Sequence, residues 1–226
     1  MLRVRPILFT ADASAWKHVL EALGLVCVQN QAGWMEFDAG SGRVALHHSP
    51  TGSPGGTVFG VEVGDLAEFA RRTVADGTRA ELIDADLGQA VRITAHDGFT
   101  FLADKATSRT TSPDADPALA VVGTWLAPDV PQAAGDMRNI GARARNMSPG
   151  AADFTCKNGG ILQVRQSGST SSGPLAFEYD GDPAALEVRL AAAGLTAARS
   201  GGSLTVPAPG GASISVALPR PTPAQP

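Results

Sequence analysis

An order of signals that occurs twice in one register constrains this fold more than any local propensity, because a duplicated unit decides the architecture before its elements are read. ILFTAD at 7–12 matches TWLAPD at 124–129, GWMEFDAGSGRVALHHS at 33–49 matches GAADFTCKNGGILQVRQS at 150–167, and FGVEVGD at 59–65 matches AFEYDGD at 176–182. Asp12 and Asp129, Gly33 and Gly150, Phe37 and Phe154, Gly42 and Gly159, and Gly77 and Gly194 each stand 117 positions apart. The reading is therefore two similar modules, 1–105 and 118–218, joined by the polar linker 106–117 (ATSRTTSPDADP) and followed by a proline-rich disordered tail at 219–226.

Within the first copy, Arg5–Thr10 reads as an apolar strand. Asp12 then caps a helix whose Trp16, Val19, Leu20 and Leu23 recur at helical spacing, and Gly24 ends it. Trp34–Asp38 and Arg43–His48 flank a Gly40-Ser41-Gly42 turn and read as a hairpin. Val58–Val63 leads to a second helix capped by Asp65 and stopped at Gly77, and strands around Ala90–Thr94 and Phe99–Ala103 close the copy. The second copy repeats this order. Its first helix, Pro131–Ile140, is weakened by Gly135; its second starts at Asp182 and Pro183 and stops at Gly194.

Composition narrows the function classes. Hydrophobic residues at 43% and charged residues at 18% are ordinary globular usage, so a core needs no staples, and 26 Gly with 16 Pro favour short strands over long helices. A net charge of −4 with scattered basic residues gives no general attraction to nucleic acid or anionic lipid, and no apolar run is long enough to span a membrane. Cys27 and Cys156 are too few and too distant for a disulfide framework, which together with the lack of a signal-peptide core points to the cytoplasm.

Asp12, the run Leu20-Glu21-Ala22-Leu23-Gly24-Leu25, Phe59 to Leu66 and Asp97-Gly98, echoed by Asp129, Phe177-Glu178-Tyr179 and Gly194, resemble the vicinal oxygen chelate superfamily of glyoxalases, bleomycin-resistance proteins and extradiol dioxygenases. The resemblance covers nearly the whole chain outside linker and tail. It implies an α+β fold of tandem βαβββ modules, whose curled mixed sheets surround a cup with helices outside. It also implies, for metal-dependent members, ligands seven residues before the Asp and four after the Gly of the last hairpin. Those positions hold Arg5 and Leu102 in the first copy, and Val122 with Ile214 or Ser215 in the second. Guanidinium and alkyl groups offer no lone pair to a divalent ion, so no metal, cofactor or catalytic residue is expected. The drug-binding, bleomycin-resistance type is the better analogy.

The expected ligand contacts are Arg5, Trp34, His47, His48, Leu102 and Trp125. Arg5 on an apolar strand needs either an internal carboxylate or a ligand. Adjacent strand residues face opposite sides, so at most one of His47 and His48 enters a cup. Trp34 and Trp125 could stack on a flat ligand or pack in a core. Glu62 and Glu178 occupy one strand position copied by duplication and read as structural. Three functions stay open: a metal-free pocket that sequesters an aromatic or peptide-like natural product, as in antibiotic resistance; a metal-dependent lyase or dioxygenase; and an interaction or regulatory module without a small ligand. The chain could act as a two-module monomer or a homodimer. The first copy, with Arg5, Trp34 and His48 where the second has Val122, Ala151 and Arg165, is expected to carry the working cup.

Overall fold

A computed structural model describes residues 1–31, 33–50, 56–85 and 88–218; the expected tail at 219–226 lies outside the described residues. In the first copy, β1 (Leu2–Val4), β2 (Ile7–Thr10), α1 (Ala13–Leu23), β3 (Val26–Gln31), β4 (Trp34–Asp38) and β5 (Arg43–His48) form one unit. The next consists of β6 (Gly56–Val58), β7 (Gly60–Val63), α2 (Leu66–Ala75), β8 (Arg79–Ala85), β9 (Gly88–Thr94) and β10 (Thr100–Lys105). The second copy follows with β11 (Leu119–Ala127), α3 (Val130–Asn139), β12 (Arg143–Ser148), β13 (Ala151–Thr155) and β14 (Ile161–Gln166). It ends with β15 (Ser171–Ser172), β16 (Ala176–Tyr179), α4 (Pro183–Ala192), β17 (Ala198–Ser200), β18 (Ser203–Pro207) and β19 (Ser213–Ala217). These are tandem βαβββ units in curled mixed sheets.

The helices start where their side chains satisfy free N–H groups. Asp12, Asp65, Asp129 and Asp182 each accept a hydrogen bond from a backbone N–H in the first turn that follows. Gly24 stops α1 in the left-handed region, at φ 102°. The stripe Trp16, Val19, Leu20 and Leu23 is buried.

The strands β3, β8, β12 and β17 are among those that escape the periodicity reading. Each lies at a sheet edge, and β12 and β17 are exposed at every residue. An edge strand with few apolar contacts has no reason to alternate, and polar edges discourage pairing with other chains.

Duplication extends to irregularities. β3 slips register against β4 between Cys27 and Gln29, and β12 slips against β13 between Ala144 and Asn146, the same position 117 residues on. β5 and β7 are exceptions, β7 matching β16 at an offset of 116, with Arg3 facing Glu62 as Ala120 faces Glu178. At β5, Trp34 faces His47 while Ala151 faces Arg165, so one extra residue in the second hairpin turn shifts the offset to 118 there. The expected match of His48 with Arg165 is therefore corrected to His47 with Arg165. A second departure comes from Pro6, which lacks an N–H and separates β1 from β2; the corresponding Gly123 leaves β11 continuous. The first copy accordingly forms two five-stranded sheets, and the second forms one sheet.

The halves exchange hairpin turns about a pseudo-two-fold axis. Val4 N donates to Gly159 O and Asn158 N to Leu2 O; reciprocally, Val121 N donates to Ser41 O and Ser41 N to Leu119 O. α1 packs on α4 and α2 on α3. A buried carboxylate on α3, Asp136, accepts from Thr78 Oγ1 at 2.6 Å and from His96 N at 3.2 Å, with His96 Nδ1 at 2.7 Å. This gives His96, in the turn between β9 and β10, an interface partner while leaving it half exposed.

Glycine permits the close approach at this interface. A Cβ on Gly160, at φ +85°, would lie 2.4 Å from Val4 Cβ, and one on Gly42, at φ +93°, 2.9 Å from Val121 Cβ. Gly160→Ala should therefore destabilise the fold by at least about 2 kcal/mol, combining left-handed strain with overpacking. Gly135, inside α3 with no atom within 4 Å of its would-be Cβ, is the control: Gly135→Ala should stabilise by about 0.5–1 kcal/mol. Urea unfolding of both variants tests the pair. Cys156 offers a second check, because burial pushes its thiol up to about 12. It should resist iodoacetamide at pH 8 in the native protein and react once urea unfolds the chain.

Candidate functional site

Alternation along β1 and β2 places Arg3, Arg5, Ile7 and Phe9 on the concave face, opposite Leu8 and the helix layer. The strands around them bring in Arg43, Glu36, Asp38, Glu62 and Asp104 on the same face. The result is a charged network filling the first cup. Arg3 Nε pairs with Glu62, and Arg5 pairs with Glu36 Oε1 at 2.8 Å and with Asp104. Arg43 reaches Glu36 Oε2 at 2.9 Å and Asp38 Oδ1 at 2.7 Å. The arginine side chains are at most 5% exposed, so these pairs are shielded from solvent screening. Burial works to lower the Arg43 pKa, but the hydrogen bond to Asp38 and the charges of Glu62, Asp38 and Glu36 outweigh it and leave the pKa raised.

The polar segment after β10 does more than connect the copies. Arg3 Nη2 and Nη1 donate to the carbonyls of Ser108 and Thr110, Arg43 Nη1 donates to Thr107 Oγ1 at 3.0 Å, and Ser112 N donates to Asp38 Oδ2 at 2.9 Å. The strap supplies the hydrogen-bond partners that buried guanidinium and carboxylate groups require.

Three of the six expected site residues converge at the rim of this cup. The Trp34 and His47 rings are 5.8 Å apart, Phe9 and His47 5.2 Å, and the Arg5 guanidinium lies 5.4 Å from the Trp34 ring centre, within cation–π range. Leu102 shares the concave face, beside Gly60. His48 does not join them. It points to the other side, into a shallow pocket of about 320 Å³ with Ala13, Asn30 and Met35. Trp125 is a correction: it lies fully buried on the opposite face of β11 from Thr124 and Leu126, stacked on Phe99 at 4.9 Å, with Nε1 donating to Thr170 Oγ1. Its large apolar ring is worth more in the packing between the halves than at a wet rim.

The second cup is built to the same plan and is open. Pairing registers fix the equivalences: Ala120 faces Glu178 as Arg3 faces Glu62, Ile161 faces Thr155 as Arg43 faces Asp38, and Ser215 stands beside Ala176 as Leu102 stands beside Gly60. Val122 replaces Arg5 and Ala151 replaces Trp34. Removing three guanidinium side chains and an indole leaves a cavity of about 920 Å³, lined among others by Ala120, Ala151, Asp153, Gln163, Arg165 and Glu178. The open cup therefore lies in the second copy, whereas the sequence reading expects the first to carry the working cup; the first copy's larger polar and aromatic side chains occupy its cup and satisfy one another.

Two rim pairs cross the second cavity. Arg165 Nη1 lies 2.6 Å from Asp153 Oδ1. Arg145 is the additional residue of the β12 bulge, which turns it across the cup to Glu178 Oε2 at 2.7 Å. That hydrogen bond, against an opposing burial effect, holds the Arg145 pKa above its ordinary value. Burial raises the Tyr179 phenol beside them, with the negative charge of Asp116 adding to the effect. Arg145, Asp153 and Gln163 were not singled out from sequence. The available signal was the run of small residues, Ala120, Val122 and Ala151, at positions where the first copy is bulky.

The residues at the chelating positions that the resemblance implies do not fit a divalent metal. Arg5 stands between Glu36 and Asp104 where an added cation would be repelled, and Val122, Leu102 and Ser215 complete no donor set. Among the described residues, no three His, Cys, Asp or Glu side chains converge into a group that could hold a metal ion.

No family model and no curated protein matches the chain. Solved structures do. An extradiol ring-cleaving dioxygenase from B. fuscum aligns with a TM-score of 0.69 at 14% identity, over 100% of this chain and 75% of that one. LapB, a 2,3-dioxygenase from Pseudomonas sp. KL28, aligns at 0.63 and 12%, over 99% and 93% of the two chains. BphC, a halotolerant catechol dioxygenase, aligns at 0.59 and 12%, over 96% and 85%. The chain thus shares its fold with these dioxygenases.

The charge network makes its own prediction. Arg43→Ala strands the buried carboxylates of Glu36 and Asp38 and should cost about 3–5 kcal/mol in urea unfolding. The triple change Arg43→Met, Glu36→Gln and Asp38→Asn removes the charges together and should cost less than the single one. A triple variant that loses more than Arg43→Ala would show that the pairs contribute net stability.

Proposed function

We propose that this chain binds a small organic molecule in its second cup, without a metal ion, in the manner of a sequestering or carrier protein. The observation that carries this reading is the cavity of about 920 Å³ at positions where the first copy places arginine and tryptophan. Pockets for drug-sized molecules span roughly 300–1,000 Å³ and combine apolar walls with a few placed polar groups. Ala120, Ala151 and Ala217 supply the former here, Gln163 and the two ion pairs the latter. The ring-cleaving chemistry of the structural neighbours is not carried over, because the chelating positions hold Arg5, Leu102, Val122 and Ser215. Toxic natural products are the ligand class that the bleomycin-resistance analogy suggests. Among the described residues no helix is long and apolar enough to cross a membrane, and the function needs none.

A thermal-shift screen of natural products, followed by calorimetry, tests the proposal together with Ala151→Trp, which puts into the second cup the side chain that Trp34 places in the first. A ligand should raise the melting temperature of the native chain, and Ala151→Trp should weaken its binding at least tenfold. Binding indifferent to Ala151→Trp, or near-stoichiometric zinc, iron, nickel or manganese in protein purified without chelators, would overturn it.

A further inference from the structure

The two copies act as each other's control, and the comparison specifies more than a vacancy. In the first cup, Glu62 is matched by Arg3, with Arg43 Nη1 at 3.8 Å, and Glu36 by Arg5 and Arg43 at 2.8 and 2.9 Å. The second cup keeps a carboxylate at both positions: Glu178 faces Ala120 as Glu62 faces Arg3, and Asp153 faces Gln163 as Glu36 faces Ala45. It has lost every guanidinium that rose from the floor, since Ala120, Val122 and Ile161 replace Arg3, Arg5 and Arg43. Two of the network's four carboxylates are retained, with Thr155 and Ala217 standing for Asp38 and Asp104, whereas all three guanidinium groups are gone, and a cavity lies beside the retained pair.

The cations that remain come from the rim. The Arg145 and Arg165 side chains are 40% and 33% exposed, in contrast to the buried arginines of the first cup. Partly exposed pairs of this kind contribute little to stability. Asp153 Oδ1 is buried and accepts no well-directed hydrogen bond, although Arg165 Nη1 lies close to it. Asp180 also lines the cavity, so three carboxylates face two guanidinium groups.

The geometry points to a small organic cation as the ligand of the second cup, one carrying guanidinium or primary ammonium groups on an apolar spacer. Its cationic groups lie beside Glu178 and Asp153, as arginines lie beside Glu62 and Glu36 in the first cup, and its spacer lies on the alanine floor. This inference rests on the reading of the second cup as a binding pocket and adds the charge of what it takes.

Calorimetry on the full chain with agmatine, spermidine and benzamidine, and with hexane-1,6-diol as an uncharged counterpart, tests it. At least one cation should bind with submillimolar affinity, weaken as sodium chloride rises from 50 to 300 mM, and exceed the diol at least tenfold. Glu178→Gln and Asp153→Asn should each weaken that cation at least fivefold. Ala120→Arg, which restores a guanidinium from the floor, should abolish its binding while the melting temperature is retained. Should Ala120→Arg itself fail to fold, the two isosteric variants decide. The inference is overturned if none of the three cations binds at millimolar concentration, if the diol matches them, or if Glu178→Gln and Asp153→Asn leave affinity unchanged. A neutral or anionic ligand displaced by Ala151→Trp would preserve the pocket and sink only its preference for cations; indifference of every ligand to Ala151→Trp would sink the pocket itself.

Discussion

A carboxylate on the concave face of a curled sheet must be matched by a cation, because removing either charge from water without a partner costs more than any single packing contact returns. The first copy matches Glu36, Asp38 and Glu62 with arginines from neighbouring strands, and the peptide strap at 107–112 supplies the remaining hydrogen bonds. That requirement fills the cup and ties it to the segment leading into the second copy. Position, burial and strap contacts of Arg3 and Arg43 all follow from it.

The second copy meets the same requirement from the rim. Its bulge at Ala144–Asn146 swings Arg145 over the cup to Glu178, and the extra residue in its hairpin turn brings Arg165 opposite Ala151 and close to Asp153. Both devices are backbone adjustments of one residue. A one-residue shift along a strand exchanges the faces of every side chain beyond it, so small insertions change a cup's chemistry without disturbing the fold.

What holds the copies together is separate from what fills them. The reciprocal hydrogen bonds of Ser41 and Asn158–Gly159, and the approach of Gly42 and Gly160 to Val121 and Val4, lie on the faces away from the cups. Trp125 and Phe99 stack there as well. The interface is thus built from side chains whose packing leaves no freedom to change, whereas the cup faces have diverged into a salt-bridged interior and a cavity.

Much of this was legible in the chain itself. The repeat of 117 residues, the capping aspartates, the α1 stripe and Gly24 follow from spacing and local chemistry, since caps and helical faces depend on residues a few positions apart. The edge strands β3, β8, β12 and β17 were not, because strands with few apolar contacts carry no alternation to read. Nor was it legible which cup is filled and which is open. The sequence determined that Arg5, Trp34 and His47 are unlike Val122, Ala151 and Arg165, but only the tertiary structure decided what the difference means. Whether a large polar side chain contacts a ligand or another residue depends on partners far apart in sequence, such as Glu36 and Asp104 for Arg5, and folding brings those partners into the first cup while leaving the second one open.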